Sequence, residues 1–566
     1  MLKFKDDGIN LILKQAREDE DDSVARRTSQ EQNLPLMDLL SYPIEFGALG
    51  SIEESESREG LLAPFHRSGK RLFVACINPG LPKTKAILDR LVKAGNIVTV
   101  FVTTKKGLER SWERYGDMVK SNLVVSGVVS VNAEMMDDFI LNIKRFQDFI
   151  EISKKILSEG KQSTTKLFEV ILAGAYALKS SDIHIEPSEN MVRVRFRLDG
   201  VLHDVLEIPN VSYGFFKSRL KILSGVKLNQ LKEAQDGRFT IDLMSKKIEV
   251  RVSIIPGNYG ESVVMRLLDP DSINVTLETL GFEPYLEKIV LEALSKPNGV
   301  ILMTGPTGSG KTTTLYAMLR HIYNPELKII TVENPIEYKI AGIVQTQVDN
   351  NSQEYTFAKS VRAIMRQDPN IIMVGEIRDL DTAEAAIEFA LTGHLVLSTL
   401  HTNTAAGVIP RLVDMKVNPK ILGSALRLSL AQRLLRRICK DCEYEYEADD
   451  EEKKLINNIM NEMLENNKQA FLEPYRDTVY KLKKGKGCEV CNGFGYKGRL
   501  AVHEAISMNG VMEEMANTNP SEREIQKVAN AQGYLTLRED ALLKIFKGLT
   551  TVEEAKANVD MYGFNA

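Results

Sequence analysis

Residues 299–312 read GVILMTGPTGSGKT, and this stretch decides the fold. An apolar run of strand length (299–303) leads into a glycine-rich loop, and a helical pattern follows over 311–322. Glycines let backbone N–H groups point inward around a phosphate, and the amino terminus of the following helix adds a partial positive charge. Strand, loop and helix in this order therefore predict a P-loop nucleotide-binding domain.

The loop supplies a specific set of phosphate-binding groups. We expect Lys311 to neutralise β- and γ-phosphate oxygens and Thr312 to offer a ligand to Mg²⁺, so ATP and Mg²⁺ are the predicted cofactors. The predicted nucleotide-binding residues are Gly305, Pro306, Thr307, Gly308, Ser309, Gly310, Lys311, Thr312 and Thr313.

Strand and helix patterns alternate in the rest of this domain. Apolar runs of strand length lie at 328–333, 371–375 and 395–400, and helical patterns lie at 357–366 and 382–391. Such alternation predicts an α/β domain in which helices cover a parallel sheet.

Two carboxylates follow strands of this sheet. Glu337 comes shortly after the strand at 328–333, and Glu376 directly follows the strand at 371–375. Because the carboxyl ends of parallel strands meet at one edge, we expect both side chains on the γ-phosphate side. Glu376 would hold a magnesium-bound water, and Glu337 would orient the attacking water.

Two of the seven histidines, His394 and His401, bracket the strand at 395–400. We interpret one of them as a structural histidine. The other is a candidate to sense the γ-phosphate through its imidazole, because histidine changes its charge near neutral pH.

Four of the five cysteines form two CxxC pairs, Cys439 with Cys442 and Cys488 with Cys491. Each pair can present two thiolates to one tetrahedral ion, so the pattern predicts a Zn²⁺ site. A closed four-thiolate site is structural, since it leaves no position for a catalytic water. The alternative is four unliganded thiols. Cys76 lies in an apolar run and is most simply a buried core residue.

Two regions precede the nucleotide-binding domain. In the nearer one, a helical pattern begins near Lys166, an alternating strand spans 192–197, and 256–260 is typical of a hairpin turn. In the first 145 residues, apolar runs at 72–77 and 97–103 flank a helical pattern and indicate a βαβ-like unit.

Composition and charge limit the function classes. The 566 residues are 43% apolar and too many for one core, so we expect three or four domains. A net charge of −4 gives no strong field towards nucleic acid or acidic lipid. We see no signal peptide and no run of about 18 apolar residues, which predicts a cytoplasmic protein without a membrane span. The charged stretches 17–33 and 51–60 are interpreted as disordered or linking segments.

Together these motifs resemble the secretion-superfamily ATPases, specifically the type IV pilus assembly and type II secretion motors (the PilB/GspE family). The resemblance covers about residues 165–566. It is carried by 181–187, 305–312, 331–338, 366–369, 375–379, 392–402 and the four paired cysteines. It implies a RecA-like ATPase domain at 276–566 with a zinc-binding insertion at 436–500, a PAS-like α+β domain at 160–275, an amino-terminal α/β docking domain at 61–145 and a flexible segment at 1–60.

The resemblance also implies roles for single residues. The catalytic set that it implies is Glu337, Glu376, Arg251, Arg266, His394 and His401. Glu337 would be the catalytic carboxylate, and the two histidines would form the histidine box. The two arginines would reach the phosphates from the second domain, so that domain closure depends on the γ-phosphate. The family's acidic box usually reads Glu-Asp-Pro, and Asn334 stands here in place of the aspartate.

Motors of this kind look like rings of six that act at the inner membrane. The resemblance therefore implies a cytoplasmic homohexamer that engages a membrane platform protein and adds pilin subunits to a filament. We predict an assembly motor rather than a retraction motor, because retraction ATPases of the family lack the amino-terminal domain and the cysteine site. One alternative is a type II secretion ATPase. Another is a DNA-uptake or conjugation factor that contacts nucleic acid through the metal module and Arg433, Arg436 and Arg437. A nucleotide switch without turnover is disfavoured by the two carboxylates.

Overall fold

The computed structural model describes residues 21–40, 42, 44–68, 71–121, 128–129, 133–158, 164–243, 246–269, 275–348 and 355–563. The chain forms two compact units, Met1–Ser130 and Val131–Ala566. The boundary between them lies near residue 130, whereas the sequence led us to end the first domain at 145. The finer division into four regions stays a prediction.

The first unit contains a small sheet with helices around it. The helices are α1 (21–31), α2 (Phe46–Leu49), α3 (Glu54–Glu59), α4 (Pro82–Lys93) and α5 (Lys105–Ser121), and the strands of the sheet are β1 (Leu62–Ser68), β2 (Arg71–Cys76) and β3 (Ile97–Val102). The two-residue strand β4 (Val128–Val129) lies outside this sheet. Strand β2 is antiparallel to β1 and parallel to β3, and α4 connects the parallel pair. The predicted βαβ unit is confirmed, and Cys76 is buried in it.

Two charged stretches that composition indicated to be disordered or linking form helices, α1 and α3. Ala25, Leu39 and Ile52 are buried in this part of the chain, and the Ser57 hydroxyl donates to the carbonyl oxygen of Leu62. A few apolar side chains among many charges are enough to hold these helices on a core. The prediction of a flexible segment over 1–60 is therefore wrong for its described part, and residues 1–20 lie outside the described residues.

The second unit begins with an antiparallel α+β region. Its strands are β5 (Asp182–Pro187), β6 (Met191–Leu198), β7 (Val201–Pro209), β8 (Gln235–Asp242), β9 (Lys247–Ile255) and β10 (Ser262–Leu268), and its helices are α6 (Ala133–Asn142), α7 (Phe146–Ser158), α8 (Thr164–Ala177) and α9 (Asn210–Leu223). These strands are hydrogen bonded in the order β8-β9-β10-β5-β6-β7. Strands β9 and β10 pair antiparallel, which confirms the predicted hairpin.

The α/β region follows. Its strands are β11 (Gly299–Thr304), β12 (Ile329–Glu333), β13 (Val344–Gln347), β14 (Ile371–Val374), β15 (Leu395–Leu400), β16 (Leu426–Ile438), β17 (Glu443–Glu447), β18 (Lys481–Gly485) and β19 (Tyr496–Ser507). Seven of them form one sheet in the order β13-β12-β14-β15-β11-β16-β19. All neighbours in it are parallel except β16 and β19. Strands β17 and β18 pair separately, beside the cysteines.

Helices cover both faces of this sheet. They are α10 (Pro284–Leu294), α11 (Lys311–Ile322), α12 (Phe357–Ile364), α13 (Leu380–Leu391), α14 (Val408–Asp414), α15 (Pro419–Ala425), α16 (Asp450–Glu465), α17 (Gly510–Ala516), α18 (Glu522–Ala531), α19 (Leu537–Phe546) and α20 (Val552–Asn558). On β11, Val300 and Leu302 belong to one apolar core, while Ile301 and Met303 belong to the other. Alternate side chains of a strand point to opposite faces, so the strand that carries the phosphate loop is anchored from both sides. The predicted α/β fold is confirmed. Among the helices of the described residues, none has the length and apolar character to cross a bilayer.

Candidate nucleotide site and metal centre

The phosphate loop connects the end of β11 to the start of α11, as the sequence predicted. Gly305, Gly308 and Gly310 have φ angles of 142°, 81° and 89°, which residues with a side chain rarely adopt. Gly305 and Gly310 also lack space for a Cβ atom: it would lie 2.6 Å from the Gln432 carbonyl oxygen and 2.7 Å from the Gln432 Nε2, respectively. Backbone torsion therefore requires glycine at all three positions, and the close approach of β16 requires it at Gly305 and Gly310 as well.

Gln432, on β16, braces the loop from the neighbouring strand. Its Nε2 donates to the carbonyl oxygen of Ser309 at 2.8 Å, and its Oε1 accepts from the Thr314 hydroxyl at 2.7 Å. The side chain is 1% exposed, so both bonds are shielded from water. This residue was not predicted from the sequence. It lies far from the loop along the chain, and only the pairing of β11 with β16 brings it there.

The Lys311 side chain lies across the loop. Its Nζ donates to the carbonyl oxygens of Gly305 at 2.7 Å and Pro306 at 2.9 Å. Burial lowers the pKa of the Lys311 ammonium, the positive charge of Arg433 lowers it further, and the Glu376 carboxylate opposes both. These bonds place the ammonium at the loop, where the amino terminus of α11 also favours an anion.

Glu376 and His401 meet at the same edge of the sheet as the loop. Glu376 follows β14, and its side chain is only 16% exposed. Its Oε2 accepts from Arg378 Nε at 2.7 Å and lies 3.4 Å from His401 Nε2. Because β14 and β15 are parallel neighbours, the residues that follow them are brought together at this edge.

His394 lies at the opposite edge of the sheet. It precedes β15, and its carbonyl oxygen accepts from the N–H of Gly299, at the start of β11. Its ring stacks on Phe389 with centroids 4.2 Å apart. The phosphate loop follows the other end of β11, so a strand of six residues separates the two places. The structure corrects the expectation that His394 joins the catalytic set: it is the structural histidine of the pair, and His401 is the one near Glu376.

Glu337 is joined to the α+β region. Arg251, on β9, donates through Nη1 to Glu337 Oε2 at 2.8 Å and through Nη2 to the Ile336 carbonyl oxygen at 2.6 Å. The Glu337 side chain is 30% exposed, which leaves it accessible to water. Arg266, on β10, instead donates through Nε to Asp182 Oδ1 at 2.9 Å. The structure therefore brings the first arginine into direct contact with the predicted catalytic carboxylate.

The other carboxylate of the acidic box has a different environment. Glu333 is 3% exposed and accepts hydrogen bonds from the hydroxyls of Tyr316 and Thr331 and from Gln345 Nε2. These bonds occupy both oxygens of Glu333, so this carboxylate is suited to fixing the conformation of the acidic box. The Nδ2 of the neighbouring Asn334 is buried and has no partner within the described residues.

The donors around the loop suit a magnesium nucleotide. A hydroxyl (Thr312), a largely buried carboxylate (Glu376) and an ammonium (Lys311) lie at the loop or at the strand end beside it. Mg²⁺ prefers oxygen ligands, and phosphate oxygens are matched by the ammonium and the backbone N–H groups. The arrangement can hold a triphosphate and place a second carboxylate, Glu337, where water has access.

The four paired cysteines form one cluster, with all sulfur atoms within 4.8 Å of one another. The Sγ–Sγ distances are 3.9 Å for Cys439 and Cys488, 3.8 Å for Cys442 and Cys491, and 3.7 Å for Cys488 and Cys491. Four thiolates at about 2.3 Å around a tetrahedral Zn²⁺ would be about 3.8 Å apart. The residues present therefore fit zinc, and they leave no open position on the ion.

Backbone groups prepare this cluster for a metal. Burial alone would raise the pKa of the Cys491 thiol, yet N–H donors from Cys488 and Gly495, with the neighbouring thiols, bring it down to about 7. The two N–H groups lie 3.1 and 3.2 Å from the Cys491 sulfur. Metal ligands must be deprotonated, so these donors favour the form that binds.

We expect Cys488→Ser to lose most of the bound zinc, because three thiolates hold the ion less tightly than four. The melting temperature should also fall, because the folding of the surrounding module is coupled to metal binding. Metal content per chain after gel filtration, with thermal unfolding, measures both effects. Cys76→Ala is the matched control, since that buried thiol lies in the first unit and its loss should leave the zinc content unchanged. Equal zinc in the Cys488 variant and the unchanged protein would contradict the site.

The chain is similar to known proteins over most of its length. Residues 158–557 match the family described as Type II/IV secretion system protein. The "Type II secretion system ATPase E" of Vibrio cholerae is 42% identical over 397 residues, which cover 70% of this chain and 75% of that relative. The "Type IV pilus assembly ATPase PilB" of Myxococcus xanthus is 34% identical over 531 residues, covering 94% of this chain and 90% of that relative. The solved structure of the ATPase DotB of Yersinia pseudotuberculosis has a TM-score of 0.50 at 21% identity, with 69% of this chain and 92% of that chain covered, and it bears on the fold alone.

Proposed function

This chain belongs to the type II/IV secretion system protein family and is therefore an ATPase, and we propose that it is the motor that powers type IV pilus assembly. The contact between Arg251 and Glu337 carries the mechanical part of this proposal, because it joins the α+β region to the nucleotide edge of the α/β region. An ion pair at that place makes the relative position of the two regions depend on what is bound. A motor needs such a dependence to convert hydrolysis into movement.

The extent of the similarity favours pilus assembly over secretion. The alignment with the Myxococcus pilus ATPase spans 94% of this chain, and that with the Vibrio secretion ATPase spans 70%. An alignment of 531 residues is longer than the second unit, so it includes part of the first unit as well. The alternative is a type II secretion ATPase that drives pseudopilus assembly and protein export, which the identity of 42% keeps open.

The proposed chemistry is hydrolysis of the β–γ phosphoanhydride bond of ATP. When bound, Mg²⁺ would neutralise charge between the β- and γ-phosphate oxygens. Thr312 and Glu376 are the oxygen donors that would hold it, the second through a water. Lys311 would bind the same phosphates, and Glu337 would orient the attacking water and accept its proton. His401, beside Glu376, would respond to the γ-phosphate.

We expect Arg251→Gln to lower turnover by roughly ten- to a hundredfold, because the variant loses a charged hydrogen bond to Glu337 beside the reacting water. The binding of nucleotide in the loop should change less than turnover. Steady-state phosphate release and a nucleotide titration measure the two quantities separately. Arg238→Gln is a matched control: this arginine is exposed and lies directly opposite Arg251 on β8. Equal turnover of Arg251→Gln and Arg238→Gln would contradict the role of Arg251.

We propose that the motor works as a homohexamer in the cytoplasm, peripheral at the inner membrane, where it engages a platform protein and the pilus machinery. The family resemblance supports these assignments. Mass photometry of the purified chain with MgATP and a slowly hydrolysed analogue tests the ring: a six-chain species is expected, and a chain that stays monomeric at micromolar concentration contradicts it.

Deletion of the gene and complementation test the proposed function directly. We expect loss of surface pili in the deletion strain and recovery with the unchanged gene, while secreted enzymes remain at their normal level. Loss of secretion with normal piliation would instead favour the type II secretion alternative. Normal levels of both would contradict the motor assignment.

One of the three arginines that supported a nucleic-acid alternative, Arg436, is engaged inside the protein. It donates through Nε and Nη2 to Glu554 Oε2, and its guanidinium lies 4.2 Å from the centroid of the Tyr496 ring. These contacts favour the pilus proposal over DNA uptake. Salt-sensitive DNA binding by the purified protein would reverse that preference.

A further inference from the structure

We propose that Arg433 is a second phosphate-contacting cation of the nucleotide site and acts beside Lys311 on the bound polyphosphate. The inference rests on the proposed ATP chemistry of the loop. The sequence indicates no such role, because Arg433 stands more than a hundred residues after the loop.

Gly305 is the neighbour that the two cations share. Lys311 Nζ lies 2.7 Å from the Gly305 carbonyl oxygen. Arg433 Nη1 lies 3.1 Å from the position that a Cβ atom of the same residue would take. Because β16 is the parallel neighbour of β11, the Arg433 guanidinium lies against the first residue of the phosphate loop.

The guanidinium is held in place by backbone groups. Its Nη1 donates to the Gln432 carbonyl oxygen at 3.1 Å, and its Nη2 donates to the Asn403 carbonyl oxygen at 2.8 Å. Gln432 is itself fixed to Ser309 and Thr314 of the loop and α11. Arg433 is thus positioned before a ligand binds, which reduces the entropy lost on binding. Five N–H donors on a guanidinium leave several for a phosphate oxygen.

The two cations at the loop, Lys311 and Arg433, lack a direct carboxylate partner among the described residues, and Glu376 pairs with Arg378 instead. Glu504 is the carboxylate whose charge acts most on Arg433, and its oxygens accept from the N–H groups of Ala405 and Leu537. Two neighbouring cations at the phosphate loop are complementary to a polyanion, and a nucleoside triphosphate fits that chemistry.

Nucleotide affinity tests the inference on the full chain. We expect Arg433→Gln to weaken the binding of a fluorescent ATP analogue with Mg²⁺ by roughly ten- to a hundredfold, the range for loss of a charged hydrogen bond. Arg433→Lys keeps the positive charge but loses the planar guanidinium with its paired donors. Its affinity for the analogue should therefore lie between that of Arg433→Gln and that of the unchanged protein. Arg523→Gln removes an exposed arginine of α18 and should bind like the unchanged protein. Melting temperatures of all variants show whether each one is folded.

Each outcome decides a separate question. If Arg433→Gln binds the analogue like the unchanged protein while Lys311→Ala does not, the inference is overturned and the proposed function stands. If neither variant loses affinity, the proposed nucleotide site fails as well. Should the Gln variant unfold, the Lys variant decides: an affinity equal to that of the unchanged protein overturns the inference, and a severalfold loss supports it. If Arg433→Gln loses DNA binding while its nucleotide affinity is unchanged, the inference is also overturned, because Arg433 would then bind the phosphodiester backbone of DNA.

Discussion

Glu337→Gln is expected to reduce ATP turnover by roughly 10²- to 10⁴-fold while nucleotide affinity stays near that of the unchanged protein. The amide has the shape of the carboxylate but cannot accept a proton from the attacking water. It also removes the negative partner of Arg251, so the link between the two regions of the second unit weakens at the same time. Glu337 has room for water, since 30% of its side chain is exposed.

Phosphate release and a fluorescent nucleotide titration, run on the same preparation, separate these two quantities. Glu384→Gln provides the control, because this glutamate is exposed on α13 and should leave both unchanged. Turnover within about twofold of the unchanged protein would contradict a catalytic Glu337 and favour a switch that binds nucleotide without hydrolysing it.

The Lys311→Ala variant, in contrast, is expected to lose binding and turnover together. The ammonium lies across the loop and donates to the carbonyl oxygens of Gly305 and Pro306. Removing a charged contact to two phosphates should weaken MgATP binding by roughly a hundredfold. The fold should survive, because the loop is also braced by Gln432.

Binding and piliation are the two measurements for Lys311→Ala. A strain that carries the variant should lack pili, and the purified variant should melt near the temperature of the unchanged protein. Lys288→Ala, an exposed lysine of α10, is the control for loss of one positive charge. Normal piliation with Lys311→Ala would contradict the motor assignment. Comparison with Glu337→Gln then separates a binding defect from a chemical one.

Several features of the site could be predicted because they are local in the chain. The glycines of the phosphate loop need positive φ angles, and the apolar runs before Glu376 and His401 are typical of buried parallel strands. The two CxxC pairs predict a thiolate site from spacing alone, and the sulfur atoms do come together. The parallel order of the strands then places Glu376 and His401 at the edge of the loop.

The histidine pair shows the limit of this reasoning. Both residues adjoin the same strand, but a parallel strand presents only its carboxyl end to the loop. His401 therefore meets Glu376, and His394 lies against Phe389 at the other end. The amino-terminal helices show another limit: α1 and α3 carry many charges, and only the burial of a few apolar side chains reveals that they are folded.

Short stretches of the chain determine the phosphate loop, the strand ends that carry the carboxylates and the cysteine pairs, since torsion angles and side-chain spacing act over a few residues. Folding alone decided that Gln432 and Arg433 lie on the loop, that Arg251 rather than Arg266 contacts Glu337, and that His394 is remote. The physical reason is that these contacts depend on which strands become neighbours. Strand order results from the packing of apolar faces that lie far apart along the chain, and a short stretch of sequence does not predict it.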